Sequence, residues 1–278
     1  MRLRVLALLA SLLSAQSPEP LVILNTMLDR LGALQTLRYE LKKYERIQGK
    51  LLMEHMRFKL RRQPFAVYGY QISPRKGVEV LFPSEPNSKK MLVKPNTFPY
   101  ISLSLDPYGD IVLENQHQTI YAVGYDQIRS LLLAARERYR AQISELVRYE
   151  GMLTWDGRKC HKLLLIAPNY HLSSYTVQSN TENIFQIAEK LHVGWYKLLE
   201  LNGLRSPKAT LRSGQTLKVP SDYGKVIRLY VDEQRHIPLM VEVEDEQGVY
   251  ERYEYYQVEV DPPFSDKDFS RDNPEYNF

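Results

Sequence analysis

Leu37, Tyr39 and Leu41 alternate with Arg38, Glu40 and Lys42, and the same two-residue rhythm returns at Met56, Phe58 and Leu60 and at Ile101, Leu103 and Leu105. A period of two places apolar side chains on one face of an extended strand and polar ones on the other. Such strands must lay one face on a core and leave the other in water, which is the pattern of an antiparallel sheet. Pro64, Pro74, Gly77, Pro83, Pro86, Pro95 and Pro99 break the run at short intervals and mark turns between consecutive strands. Strands resume at Met152 to Trp155 and Cys160 to Ile166. They return a last time where Ile227, Leu229 and Val231, then Leu239, Val241 and Val243, face one way. Tyrosine, at 20 of 278 residues against 8 Phe and 2 Trp, suits half-buried strands, where the ring packs and the hydroxyl stays wet.

Two stretches depart from this rhythm with helical spacing. Leu24, Met27, Leu28, Leu31 and Leu34 predict a short amphipathic helix. A second helix is predicted from Asp126 to Arg148, with Ile128, Leu131, Leu132, Ala135, Tyr139, Ile143 and Leu146 as its stripe. Arg129, Arg136, Arg138 and Arg140 lie largely off that stripe and read as a solvated face. The first fifteen residues, MRLRVLALLASLLSA, read as a secretory leader: Arg2 and Arg4, an apolar run from Val5 to Leu13, and a small-residue exit near Ala15. That run is too short to span a bilayer, and no later run is long enough. The expected location is therefore the periplasm, without a membrane span. No cysteine stands at the exit, so no lipid anchor is expected. Cys160 is the only cysteine, which excludes an internal disulfide and reads as a buried strand residue rather than a nucleophile. A formal charge of +4 spread over both signs is no nucleic-acid signature. The last eighteen residues, DPPFSDKDFSRDNPEYNF, are polar with aromatic punctuation and read as irregular chain lying over the surface.

The segment from Tyr175 to Pro220 fits neither pattern. Two short helical stretches, Ile184 to Leu191 and Trp195 to Leu201, lie between strand-like ends YTVQ and QTLKVP. Tyr175-Thr176-Val177, Ile184, Ile187-Ala188, Val193, Leu198-Leu199, Leu201-Asn202-Gly203-Leu204, Leu211, Gly214-Gln215, Leu217 and Val219-Pro220 follow in an order that resembles the LysM family along its whole length. Val177, Ile184, Ile187, Leu198, Leu201, Leu211 and Leu217 would form one small core. Asn202-Gly203 would end the second helix, Gly214 would turn into the last strand, and Pro220 would close it. The resemblance implies a βααβ module that binds N-acetylglucosamine-containing glycans, chiefly peptidoglycan or a chitin-like chain, in a shallow groove between two loops. Carried over by position, the glycan-binding residues are Thr181, Glu182, Asn183 and Ile184, with Gly203, Leu204, Arg205 and Ser206. Where the family has Gly-Asp-Thr this chain has Thr181-Glu182-Asn183, and the preceding turn is one residue longer, so the glycine's freedom is lost.

With that segment set aside, Ile166-Ala167-Pro168 and Val226-Ile227-Arg228 become neighbours in a continuous meander, since a domain with adjacent ends is tolerated in a hairpin loop. The remaining order resembles the Lol-type lipoprotein carriers, strongest at IRLYVDEQRHIPLMVEVEDEQG. It is closer still to a family of uncharacterised exported bacterial proteins of that superfamily, through RRQPFAVYGY, KGVEVLF and the ending. The implied fold is α+β: a curved half-open antiparallel β barrel with two helices, plus the inserted module. The expected division is a leader at 1–15, a discontinuous β domain at 20–173 and 222–278, and the module at 174–221. The resemblance implies a lipid or lipoprotein ligand on the concave face. It predicts a cavity of a few hundred Å³ with apolar walls, under a helical lid that buries Leu131, Leu132 and Tyr139; the competing expectation is a core packed solid by residues such as Phe65, Val67, Leu103, Leu105, Val241 and Val243.

No catalytic signature stands out. His55, His117, His161, His171, His192 and His236 show no metal-ligand spacing, and there is neither a nucleophile elbow nor a phosphate loop. Glu40 and Glu45 read as surface charge of a strand. The sequence thus predicts a non-catalytic envelope protein with no metal and no cofactor. The alternatives are a cell-wall glycan hydrolase or its accessory, and a module serving only protein contacts.

Overall fold

The computed structural model describes residues 19–278, so the leader read at 1–15 lies outside the described residues. The chain opens with α1 (Pro20–Ala33), started by a proline whose missing N–H costs nothing in the first turn. Its stripe is fully covered: Leu24, Met27, Leu28, Leu31 and the following Leu34 are all buried. Each such side chain contributes roughly 1.5–3 kcal/mol through removal from water. Six strands follow: β1 (Thr36–Ile47), β2 (Lys50–Arg62), β3 (Phe65–Ser73), β4 (Glu79–Phe82), β5 (Met91–Lys94) and β6 (Leu103–Leu105). Ile101, expected in the last of these, lies just outside it and is exposed. Gln48 and Gly49, with φ of 48° and 78°, make the two-residue turn between β1 and β2; positive φ at both positions matches the twist of the strands.

Two short helices, α2 (Asp110–Leu113) and α3 (Asp126–Arg138), separated by a single 3-10 turn, lead to α4 (Ile143–Leu146) and β7 (Val147–Trp155). The single helix expected from Asp126 to Arg148 is therefore two helices and the start of a strand. Tyr139 leaves helical geometry, and pairing of Val147 with Leu165 takes over, so ladder formation outweighs the continuing apolar spacing. The arginines of α3 are a solvated face only in part. Arg129 donates to the Leu28 carbonyl at 2.8 Å and Arg136 to Asn25 at 2.9 Å, both on α1, while Arg138 reaches Asp222 at 2.8 Å. Arg138 nevertheless stays exposed, as does Arg140, which pairs with exposed Glu137.

β8 (Arg158–Ile166), β9 (Leu172–Thr176), α5 (Ile184–Leu191), α6 (Trp195–Leu201), β10 (Thr216–Pro220), β11 (Val226–Asp232), β12 (Pro238–Asp245) and β13 (Gly248–Val260) follow, and a 3-10 turn at Asp266–Phe269 interrupts the otherwise irregular tail. Eleven strands form one antiparallel sheet in the order β6-β5-β4-β3-β2-β1-β13-β12-β11-β8-β7, an α+β architecture. The sheet does not close, since β6 and β7 end the order. Ile166 sits opposite Val226, so β8 and β11 pair as a hairpin whose connection carries the whole β9–β10 segment. Cys160 is buried on β8, and burial pushes its thiol up to about 11, an unreactive state. The tail does cover the surface of the sheet: Tyr276 stacks on Tyr68 at 3.6 Å, and Asn277 bonds the buried Glu79 carboxylate.

Within the β9–β10 segment the two helices and the last strand stand where the sequence places them. The first strand runs from Leu172 to Thr176, earlier than the expected YTVQ, because Leu172, Ser173 and Ser174 also pair with β10. Val177, Ile184, Ile187, Leu198, Leu211 and Leu217 are buried in a common cluster, which Ile47 and Leu113 of the β domain join. Leu201 is the exception, half-buried and facing a cleft. Asn202 does more than end α6: it donates to the Lys218 carbonyl at 2.9 Å and accepts from the Lys218 amide at 2.8 Å, fastening β10. Gly203 follows at φ 62°, the left-handed position that a helix end of this type needs.

Candidate functional site

A cavity of about 490 Å³ lies against the concave face of the sheet. Its walls come from β1 to β6 (Tyr39, Leu41, Met56, Phe58, Val80, Met91, Val93, Leu103, Leu105), from Val241, Tyr253 and Tyr255, and from Ile128 and Leu131 of α3. The solidly packed alternative is thus not what the sheet encloses. Val67 and Val243 do fill core, but Leu103 is 40% exposed and Leu105 half-buried at the cavity edge. Of the expected lid, Leu131 and Leu132 are buried. Tyr139 lies elsewhere, its hydroxyl 3.0 Å from both oxygens of Asp222.

Polarity is graded along this cavity. Tyr39 faces Phe58 across the β1–β2 ladder, in the apolar part; four residues on, Lys43 faces Glu54. Lys43 bridges Glu54 at 2.9 Å and Glu45 at 3.3 Å, and Gln71 and Gln116 close the group. Burial alone would lower the Lys43 ammonium, but the two carboxylates outweigh it and raise it. Arg75, Lys76, Asn96 and Thr97 line the same end. An apolar chamber with a polar end is shaped for an amphiphile.

Behind that polar end sits a buried cluster that sequence reasoning misjudged. Glu45 is 2% exposed, not a surface charge, and accepts from the His117 amide at 3.0 Å and the Tyr253 hydroxyl at 2.8 Å. Glu40 is half-buried, held by Arg57 at 2.8 Å and His55 at 3.1 Å. His117 Nδ1 lies 3.0 Å from Glu251, and Nε2 lies 3.1 Å from the Arg46 carbonyl, which can only accept. Burial would lower the imidazole, but Glu251 and Glu45 raise it. Glu45, His117 and Glu251 are close enough to share a metal ion. Their fit is poor, because both ring nitrogens are already engaged and the imidazolium form has no lone pair to give.

The residues nominated for glycan fall into two groups, of which only the second lines a deep cleft. In the first loop, Glu182 accepts from the Gln178 amide at 2.7 Å and the Tyr175 hydroxyl at 2.8 Å, bonds that hold its carboxyl below the usual range. Asn183 caps α5, accepting from Phe185 and Gln186 while Gln186 answers to the Asn183 amide. Thr181 bonds the Ser179 hydroxyl at 2.9 Å, and Ile184 is buried. Thr181, Glu182 and Asn183 all keep negative φ, so the longer turn removes the need for the family's glycine. Gly203, Leu204, Arg205 and Ser206 instead line a cleft of about 940 Å³ whose other wall is Gln48, Gly49, Asp110 and Glu114 of the β domain. Ser206 already donates to Asp110 at 2.6 Å, and Lys208 reaches Asp106 at 2.7 Å. Tyr108 meets Phe185, beside the first loop, with ring centres 4.8 Å apart. The β-domain stretch from Asp106 to Asp110 therefore touches the second loop and the start of α5.

Nothing in the sequence announced how α6 docks. Lys197 is 4% exposed and bonds Asp245 at 2.6 Å and Glu246 at 2.8 Å on the β12–β13 hairpin, where Arg46 also pairs with Asp245. Burial would raise the Asp245 carboxyl, but hydrogen bonds from Lys197 and Arg46 outweigh it and hold it low. Next to this group the Tyr196 ring lies 4.8 Å from His117. A lone lysine in LELNGL-type context carries no signal of such a partner, because its acid lies 48 residues on.

Among the described residues no helix is long and apolar enough to cross a membrane. No curated relative matches the sequence. Solved structures of similar outline include the lipoprotein LppX of Mycobacterium tuberculosis, at 14% identity over 90% of this chain and 99% of that one, with a TM-score of 0.43. LprF of Mycobacterium bovis follows at 13% identity, 90% and 96% coverage and 0.42. A putative outer membrane lipoprotein-sorting protein domain from Vibrio parahaemolyticus is similar at 9% identity, 90% and 95% coverage and 0.36. Residues 175–220 match the LysM domain. Residues 35–184 match the family described as "Protein of unknown function (DUF1571)", more than half of the chain, and the chain belongs to that family.

Proposed function

We propose that this chain is a non-catalytic protein of the bacterial periplasm, exported by its leader, that holds peptidoglycan through residues 174–221 and an amphiphilic lipid or lipoprotein acyl chain in the β domain formed by 20–173 and 222–278. The LysM match supports the glycan half. The observation that carries the lipid half is the 490 Å³ cavity, apolar in its depth and polar at one end. Its carboxylates are already tied to Lys43, His117 and tyrosine hydroxyls, which leaves them as polar lining rather than free acids or bases. In the module, Thr181, Asn183 and Arg205 are the exposed nominated side chains, and because Asn183 is engaged as the cap of α5 the weight of recognition falls on Thr181, Arg205 and backbone groups. The test has two arms. Purified sacculi should retain the intact chain and release one lacking 174–221; equal recovery of both ends the tethering reading. Solvent extraction of the natively purified protein followed by mass spectrometry should yield a stoichiometric amphiphile; an empty cavity on repeated isolation, and no uptake of a fluorescent fatty acid, ends the lipid reading.

A further inference from the structure

Around the polar end of the cavity the chain exposes large apolar side chains that no other element covers. Phe98 is 86% exposed, Tyr100 55% and Ile101 56%, all in the loop between β5 and β6, and Ile111 of α2 is 76% exposed. Single exposed apolar residues need no explanation, but a group of four at one opening does. This loop is held against the β3–β4 turn by Asn96, which donates to the Lys76 carbonyl at 3.1 Å, and is folded back on itself by Lys94, which bonds the Tyr100 carbonyl. That turn carries Arg75 and Lys76, both exposed, and neither forms an ion pair among the described residues. Arg75, Lys76 and Ile111 line the cavity, as do Asn96 and Thr97, which stand directly before Phe98 in the chain, so the apolar loop adjoins the end of the cavity that carries the two cations.

We infer that this rim docks on the surface of an anionic phospholipid bilayer, with Phe98, Tyr100 and Ile101 entering the headgroup region and Arg75 and Lys76 meeting its negative charge. Aromatic rings with a wet edge suit that interface, and cations beside them are attracted to acidic headgroups. A second copy of the chain is a poorer occupant, since a two-fold contact through the rim would bring Arg75 and Lys76 against their own counterparts. Docked in this way, the mouth opens onto the acyl layer, and an amphiphile passes between bilayer and cavity without crossing water. The inference rests on the lipid reading for what is exchanged, while the docking has its own readout.

Sedimentation with vesicles tests it, using the chain from residue 16 onward so that the leader read at 1–15 plays no part. The protein should bind vesicles of phosphatidylglycerol with phosphatidylethanolamine and be left in solution by phosphatidylcholine alone. Phe98→Ser with Ile101→Ser, and separately Arg75→Glu with Lys76→Glu, should each weaken binding about tenfold or more. All four positions lie outside the packed core, so the variants should melt with the wild type. Equal binding of variants and wild type, or no binding by the wild type, overturns the inference. So does a wild-type dimer that Phe98→Ser dissociates, because the rim would then belong to a second copy. Val93→Trp, which fills the cavity, should keep vesicle binding; if bound lipid is absent from the wild type as well, the lipid reading fails while the docking stands.

Discussion

The first loop of the inserted module and the mouth of the β-domain cavity spend their polar chemistry in opposite ways. In the loop, Glu182, Asn183 and Thr181 each satisfy a backbone or hydroxyl group of the loop itself, and Ile184 is buried. The stretch from Asp106 to Asp110 then leans on the neighbouring surfaces. Near the mouth, Arg75 and Lys76 form no ion pair among the described residues and Phe98 is almost bare. The contrast teaches that a strong family match reports residues that build a fold. Val177, Ile187 and Leu198 are matched because they pack, and the same match says little about which groups remain free for a ligand. Where sequence resemblance is vague, free surface can still be abundant.

The largest effect expected of any change that breaks this contrast is at the joint. Asp245→Ala leaves Arg46 and Lys197 without their shared partner, and removing one member of a buried ion group costs about 3–5 kcal/mol. Urea unfolding should show that loss, and limited proteolysis should begin to cut between 167 and 225. A loss below about 1 kcal/mol would mean that the module is not fixed by this group. A paired truncation compares closed with open directly. Leu198→Ala in the module core should cost about 2–5 kcal/mol, whereas Leu103→Ala at the cavity edge, already 40% exposed, should cost less than about 1 kcal/mol. Similar losses at both sites would remove the distinction.

A smaller and opposite effect is expected where the β domain leans on the module. Tyr108→Ala removes the ring contact with Phe185, worth about 0.5–1.5 kcal/mol, so glycan affinity measured by calorimetry with chitin oligomers should rise about two- to tenfold. A fall would mean that Tyr108 is part of the glycan site rather than a cover. The smallest effect concerns acid. Bonds from Gln178 and Tyr175 depress the folded Glu182 carboxyl below its unfolded value near 4.3, so what this group adds to loop order is fully present above that pH. It is lost as pH falls through the lower folded value. Amide exchange of Gln178 should quicken on that acid side and stay flat above it, and Glu182→Gln should abolish the step.

The pattern of misreadings has one origin. Alternation placed β1 and β2, and the apolar matches placed α5 and α6, because those signals are local. The helix drawn through to Arg148 failed because α4 restores helical spacing after a turn at Tyr139, and only pairing of Val147 with Leu165 shows that a strand has begun. Glu45 and the arginines of α3 read as surface charge because their partners, His117, Tyr253, Leu28 and Asn25, are far away in the chain.

The sequence by itself determined the antiparallel class, the opening helix, the βααβ order of the 174–221 segment and its apolar interior, since each follows from periodicity or from turn chemistry within a few residues. Tertiary structure alone decided that the sheet stays open around a 490 Å³ cavity, that Lys197 and Asp245 lock α6 to the β12–β13 hairpin, and that the nominated glycan residues divide between a closed loop and a cleft. Those outcomes depend on which faces meet across long stretches of chain. A side chain's burial and its partner are properties of that meeting and not of the residues on either side of it.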